Sequence, residues 1–166
     1  MQNSKIKKKI ITLIGPTACN KTSTAVHLIK KFPISIIGVD SVQIYKRFNI
    51  GSAKPPKEIL EKYKHHLVDS ADPENIFSVK DFYDQAYRIV IQAHSNNRIP
   101  LLVGGTMMYF NALFKGINDI PEGNEAIREE LQRELDNRGV DKLFNELKEI
   151  DPESAKTVKK NDKQRI

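Results

Sequence analysis

Eight residues near the start of the chain, 15–22, read GPTACNKT and combine the types that can hold a polyphosphate. They match the spacing Gly-x-x-x-x-Gly-Lys-Ser/Thr at Gly15, Lys21 and Thr22, and depart from it at Asn20. Gly15 permits a tight turn out of a strand. The backbone N–H groups from Ala18 to Thr22, with the N-terminus of the helix that follows, can point at phosphate oxygens. Lys21 supplies a mobile positive charge, and the Thr22 hydroxyl can ligate a divalent cation such as Mg2+. Pro16, Thr17 and Cys19 complete the loop, and Cys19 is read as an incidental small residue. Asparagine tolerates positive φ better than most residues, so left-handed dihedrals at Asn20 would cost about 1 kcal/mol. The loop is therefore expected to form and to bind phosphate less tightly than one with glycine there.

Two further polar groups follow apolar runs. Asp40 ends the run ISIIGV and can serve either as an outer-sphere partner of Mg2+ or as a general base toward an incoming nucleophile; capping the next turn is the plainer alternative. Thr106 follows Gly104-Gly105 and offers a hydroxyl and an N–H at a helix start, either as site residue or as simple N-cap. Ligands of open parallel sheets collect at the carboxyl ends of strands, where these residues would lie. His65 and His66 are adjacent, so in a strand they point opposite ways; one packed and one solvated ring is the expectation, rather than a metal pair.

The elements that must position these groups alternate. Strands are expected over 8–14 (buried), 34–39, 66–68 and 99–103, and helices over 21–32, 78–93 and from 106 to about 114. Ala25, Val26, Leu28 and Ile29 share one face of the first helix, and Ser78 with Asp81 forms a capping box for the second. After Gly116 the sequence turns charge-rich, with amphipathic helices over 125–138 and 140–150, a break at Asp151-Pro152, and a helix starting near Asp162. This is an α/β pattern: a P-loop-type parallel sheet with helices on both faces, plus a helical insertion. The expected partition is a core over 1–117, an insertion over 118–160 and a return toward the core over 161–166.

Lys and Arg number 27 against 21 Asp and Glu, a net charge of +6 that favours an anionic partner. Cys19 is the sole cysteine, which excludes an intrachain disulfide and a multi-thiolate metal site. No apolar run approaches the ~20 residues that span a bilayer, and the apolar stretch IITLI runs straight into the loop without a cleavage site. A cytoplasmic protein without a membrane partner is expected.

In order and spacing, GPTACNKT, DSVQIYKRFNIGSAKPP, HHLVD, GGTMMYF and DPES…NDKQRI resemble the tRNA dimethylallyltransferases, the tRNA isopentenyltransferase family, over essentially the whole chain. The resemblance implies transfer of a dimethylallyl group from dimethylallyl diphosphate to N6 of the adenine 3′ of the anticodon. It implies that Gly15, Pro16, Thr17, Ala18, Cys19, Asn20, Lys21 and Thr22 hold the diphosphate, with Mg2+ near Thr22. It implies further that Asp40 accepts from the attacking amine, that Ser41, Val42 and Gln43 line the place of the flipped adenine, and that Thr106 lies between the substrates. Arg128, Gln164, Arg165 and Ile166 fall at tRNA-contacting positions, which makes the anticodon stem-loop the expected partner of a monomeric protein. Departures fall at Cys19, Asn20, Val42 (arginine in the family), Met107 (glycine), Thr157 (arginine) and Lys160 (proline). Family members continue beyond the equivalent of Ile166, so the chain is expected to be a fragment or a shortened product with apolar surface left uncovered. Two other functions fit parts of the pattern: a P-loop kinase for a small metabolite, and a non-catalytic RNA- or nucleotide-binding remnant.

Overall fold

The apolar, β-branched runs become four parallel strands: β1 (Ile11–Ile14), β2 (Ile34–Val39), β3 (His65–His66) and β4 (Ile99–Gly104), in the order β1-β4-β2-β3. The structure, a computed structural model, describes residues 9–117 and 124–166. The expected start of the first strand at residue 8, and residues 118–123 of the expected insertion, lie outside these. The chain divides into two compact units, Met1–Asn118 and Asp119–Ile166.

In the first unit β2 lies between β3 and β4 and is buried along its whole length, as a near-continuous apolar strand with both faces covered should be. Against one face packs α1 (Lys21–Ile29), whose Ala25 meets Ile34, Ile36 and Leu101. Against the other pack α3 (Val79–Ser95) and α4 (Met107–Lys115), where Phe82, Ala86, Val90, Tyr109 and Phe110 enclose Ile37, Val39 and Leu102. The rings of Phe82 and Tyr109 stack with centroids 4.1 Å apart and join the two helices. The α/β class with helices on both faces is as expected.

Register fixes the functional end of this sheet. Ile14 and Val39 both pair with Gly104, so residues 15, 40 and 105 emerge side by side. The N–H of Gly15 donates to the Gly104 carbonyl at 3.3 Å, and those of Gly105 and Thr106 donate to the Val39 carbonyl at 3.2 Å. Gly104 must be glycine, because a Cβ there would sit 2.0 Å from the Val39 carbonyl oxygen.

Several local expectations are corrected. The first strand is not buried: β1 begins at Ile11, pairs with β4 alone among the described residues, and leaves Ile10, Ile11 and Ile14 more than two-fifths exposed at the sheet edge. α1 stops at Ile29 rather than Phe32: the N–H groups of Lys31 and Phe32 both fold back onto the Leu28 carbonyl, and Pro33 keeps Phe32 from helical dihedrals. β3 is shifted to His65–His66 and ends where Leu67 turns left-handed at φ 59°. Both histidines are half-buried, which corrects the packed-and-solvated pairing. Burial lowers the pKa of each, and the buried Nε2 of His65 has no partner among the described residues. No cluster of three metal-ligating side chains occurs among the described residues. α2 (Lys57–Lys62), following Pro55-Pro56, was not foreseen.

In the second unit α5 (Glu125–Arg138) and α6 (Val140–Ile150) have the expected bounds. Asp151-Pro152 ends α6 and also starts α7 (Pro152–Thr157): proline occupies the first turn, where its missing N–H is harmless, and the Asp151 carboxylate caps the Ser154 N–H at 3.0 Å. The expected helix near Asp162 is a single turn, closed by the N–H groups of Arg165 and Ile166 on the Asp162 carbonyl. Among the described residues no helix is long and apolar enough to cross a membrane.

Ser78 and Asp81 form the expected capping box on α3, each side chain accepting from the other's backbone N–H. The Ser78 hydroxyl and N–H hold the Asp81 carboxyl below its usual pKa. A lowered folded-state pKa contributes stability above the unfolded value that is lost as pH falls through the folded one. Ser78→Ala should therefore destabilise by about 1 kcal/mol in urea titrations at neutral pH, with the difference from wild type shrinking from about pH 4 downward. Gly104→Ala should cost about 3 kcal/mol or prevent folding altogether, measured the same way.

Candidate functional site

The loop leaving β1 is built by backbone geometry that its residues resist. Ala18 and Asn20 both take left-handed dihedrals, with φ 64° and 60°. Gly15 lacks a Cβ where one would meet the Cys19 Sγ at 2.7 Å. Asn20 is the N-cap of α1, but its side chain makes no cap hydrogen bond, so the first N–H groups of the helix stay open toward the cleft. Its carbonyl instead accepts from the Thr24 N–H and from the hydroxyls of Ser23 and Thr24. Lys21 folds back over the loop, its Nζ donating to the carbonyls of Gly15 (2.8 Å) and Pro16 and lying 3.6 Å from Cys19 Sγ. Thr22 is half-buried and lines the cleft beside it.

At the end of β2, Asp40 caps the next turn with one oxygen: Oδ1 accepts from the N–H groups of Val42 (2.9 Å) and Gln43 (3.1 Å). Oδ2 enters no hydrogen bond among the described residues. Thr106 precedes α4 without capping it; its Oγ1 accepts from the Ser41 N–H at 3.1 Å and stands 3.5 Å from the Ser41 hydroxyl. The two strand ends are thus tied through Thr106.

Sequence reasoning missed what holds the segment after Asp40. The Gln43 amide donates to the carbonyls of Ser52 and Ala53 at 3.1 and 3.0 Å. Lys54, with a side chain only 4% exposed, donates to the Tyr45 carbonyl at 2.8 Å and pairs with Asp69 at 2.6 Å. A buried ammonium requires such partners, and the string IGSAKPP was the signal that could have located it.

Two clefts open on this arrangement. One, of about 610 Å3, runs along the loop from Thr17 to Ser23 and on to Gln43, Ala53 and Ile59. The other, of about 650 Å3, is bounded by Gly15, Pro16, Ser41, Val42, Thr106 and Met107. Thr17, Lys21 and Asp40 line both. A group bound in one cleft therefore meets a group bound in the other at a cation and a carboxylate. Val42 and Met107 reach the second cleft with half-exposed apolar side chains.

Within the second unit, Arg128, Gln164 and Ile166 line a groove of about 500 Å3 with apolar residues of α5 and α6. Arg165 lies outside that lining and pairs with Asp162 at 3.5 Å.

Residues 43–166 match the family model described as IPP transferase. The chain is 44% identical over 157 residues to the tRNA dimethylallyltransferase of Dichelobacter nodosus, covering 95% of this chain and 49% of that protein. It is 44% identical over 161 residues to that of Vesicomyosocius okutanii, covering 97% and 53%. Among solved structures it is similar to a eukaryotic dimethylallyltransferase acting on tRNA (TM-score 0.80, 27% identity, 95% of this chain and 39% of that one). It is also similar to the full-length tRNA isopentenylpyrophosphate transferase of Bacillus halodurans (TM-score 0.65, 38% identity, 96% and 53%). The chain spans about half the length of the curated relatives it matches.

The strained loop separates two substitutions. Ala18→Gly should stabilise the protein by about 1–2 kcal/mol, because alanine resists the left-handed region more than asparagine does; Asn20→Gly should stabilise it by less, about 1 kcal/mol at most. Paired urea unfolding curves read both.

Proposed function

This chain belongs to the IPP transferase family, and on that footing we propose that it transfers a dimethylallyl group from dimethylallyl diphosphate to N6 of the adenine 3′ of the anticodon in a tRNA. The observation that carries this reading is the wall shared by the two clefts. Asp40 and Lys21 face both, and the open helix N–H groups lie along one of them.

In this reading the diphosphate lies against the loop, taking N–H donation from residues 18–22 and the charge of Lys21, which would release the carbonyls of Gly15 and Pro16. The adenine, out of its stack, enters between Ser41, Val42 and Thr106. The bond from the allylic carbon to diphosphate oxygen breaks, a bond from N6 to that carbon forms, and the N6 proton passes to Oδ2 of Asp40 as diphosphate leaves. Oδ1 stays in its turn and so holds the other oxygen in place. Thr106 positions the 40–43 turn through the Ser41 N–H.

One hydroxyl and one nearby carboxylate suit Mg2+, which takes few protein ligands and completes its shell with water and phosphate oxygens. Thr22 would hold it, with Asp40 as outer partner, and it would neutralise charge on the leaving diphosphate. Arg128, Gln164, Arg165 and Ile166 would contact the anticodon stem-loop. The protein would act as a cytoplasmic monomer.

A second reading, binding of diphosphate and RNA without turnover, is favoured by the apolar side chains of Val42 and Met107 beside Asp40. Incubation of the chain with dimethylallyl diphosphate, Mg2+ and unmodified tRNA decides between them: prenylated adenine is expected, and bound substrates without product would select the second. Asp40→Asn keeps an acceptor at Oδ1 and the turn intact, so it should lower transfer at least about 100-fold while changing diphosphate affinity less than about twofold. Equal loss of both would make Asp40 a structural residue only.

A further inference from the structure

The opposite end of the sheet carries a second concentration of positive charge. β3 begins in register with Ile36, so the first two residues of β2, Ile34 and Ser35, have no strand neighbour on that side. Arg98 reaches into this gap, its Nε donating to the Ser35 hydroxyl at 3.0 Å and its Nη2 to the Ile34 carbonyl. Those two bonds leave Nη1 unengaged among the described residues. Beside it opens a cavity of about 380 Å3, lined among others by Lys62, Tyr63, Lys64, His66, Asn96 and Arg98.

Among the described residues no aspartate or glutamate lines this cavity. None of Lys62, Lys64 and Arg98 enters an ion pair among the described residues, although nine such pairs form elsewhere. The Tyr63 ring has the ammonium groups of Lys30 and Lys62 each 5.8 Å from its centroid. After burial, the charges of Lys64 and Arg98 are the next causes that push the His66 pKa down, so these cations converge on one place. Cations gathered side by side repel one another and are relieved by an anion. Arg98 offers a rigid, pre-anchored guanidinium for oxyanion geometry.

We propose that this gap is a second oxyanion site that takes a phosphate group, either free or in an RNA backbone. It lies about 17 Å along β2 from the phosphate loop, at the amino rather than the carboxyl ends of the strands. It does not depend on the transfer reaction.

The test is residue-resolved NMR of the whole chain, titrated separately with inorganic phosphate and with a pentauridylate. Both probes are expected to move the signals of Tyr63, Lys64, His66 and Arg98 saturably. The affinity should fall at least about tenfold in Lys62→Gln/Lys64→Gln and be retained in Lys62→Arg/Lys64→Arg, with the remaining spectrum showing the fold intact. The two probes distinguish the source. Pentauridylate binding at least about tenfold tighter, with a salt dependence that shrinks in the glutamine variant, marks an RNA backbone; equal affinities mark a free phosphate. Shifts confined to residues 15–22, no saturation with either probe, or affinity unchanged in the glutamine variant would overturn the proposal.

Discussion

The carbonyl of Val39 gathers the N–H groups of both Gly105 and Thr106, and it can do so because Gly104 brings no side chain between β4 and β2. This close backbone approach sets the level at which the strands end. Gly15 closes the same level from β1 by donating to Gly104. With three strand ends fixed to one another by main-chain bonds, the loop, the carboxylate and the threonine inherit their spacing from the sheet and not from flexible side chains. Thr106 then reaches over to Ser41 and prevents the segment after Asp40 from swinging away from β4. Main-chain definition of this kind suits a site whose chemistry needs alignment more than it needs many acids and bases.

The loop itself stores conformational energy at the place where a ligand would use it. Two residues with side chains, Ala18 and Asn20, hold left-handed dihedrals of the sort that glycine adopts freely. They stay there because Lys21 ties the loop's first carbonyls together and because the chain must turn from β1 into a helix packed by Ala25 on the sheet. Strain concentrated at a phosphate-facing turn is a common feature of functional sites. Here the ammonium that restrains the loop is also the group a phosphate would draw away.

The sheet and its flanking helices were legible in the sequence because β2 and β4 are near-continuous apolar runs and α3 carries its cap in plain sight at Ser78 and Asp81. The errors have physical reasons. β1 has the composition of a buried strand, and nothing in its own residues says on which side a neighbour is missing. Asp151-Pro152 stops one helix and starts the next, and composition alone reveals only the stop. At the site, the candidates 15–22, 40–43 and 106 meet around two joined clefts, since motif spacing and strand ends are local signals. The pair of Lys54 and Asp69 was hidden because it joins segments fifteen residues apart through the chain's folding, and the left-handed Ala18 because alanine gives no warning of such a backbone.

Asp40 caps a turn and still leaves one carboxylate oxygen without a partner among the described residues. With two N–H bonds on Oδ1 alone, the group is held in one rotamer while the other oxygen remains directed by covalent geometry. The carboxylate thereby fixes the turn, and the turn fixes the carboxylate. Val42 and Met107 line the second cleft with half-exposed apolar side chains. Both side chains set the shape and polarity of the cleft beside Asp40, and leave the loop and the carboxylate in the relation that the sheet imposes.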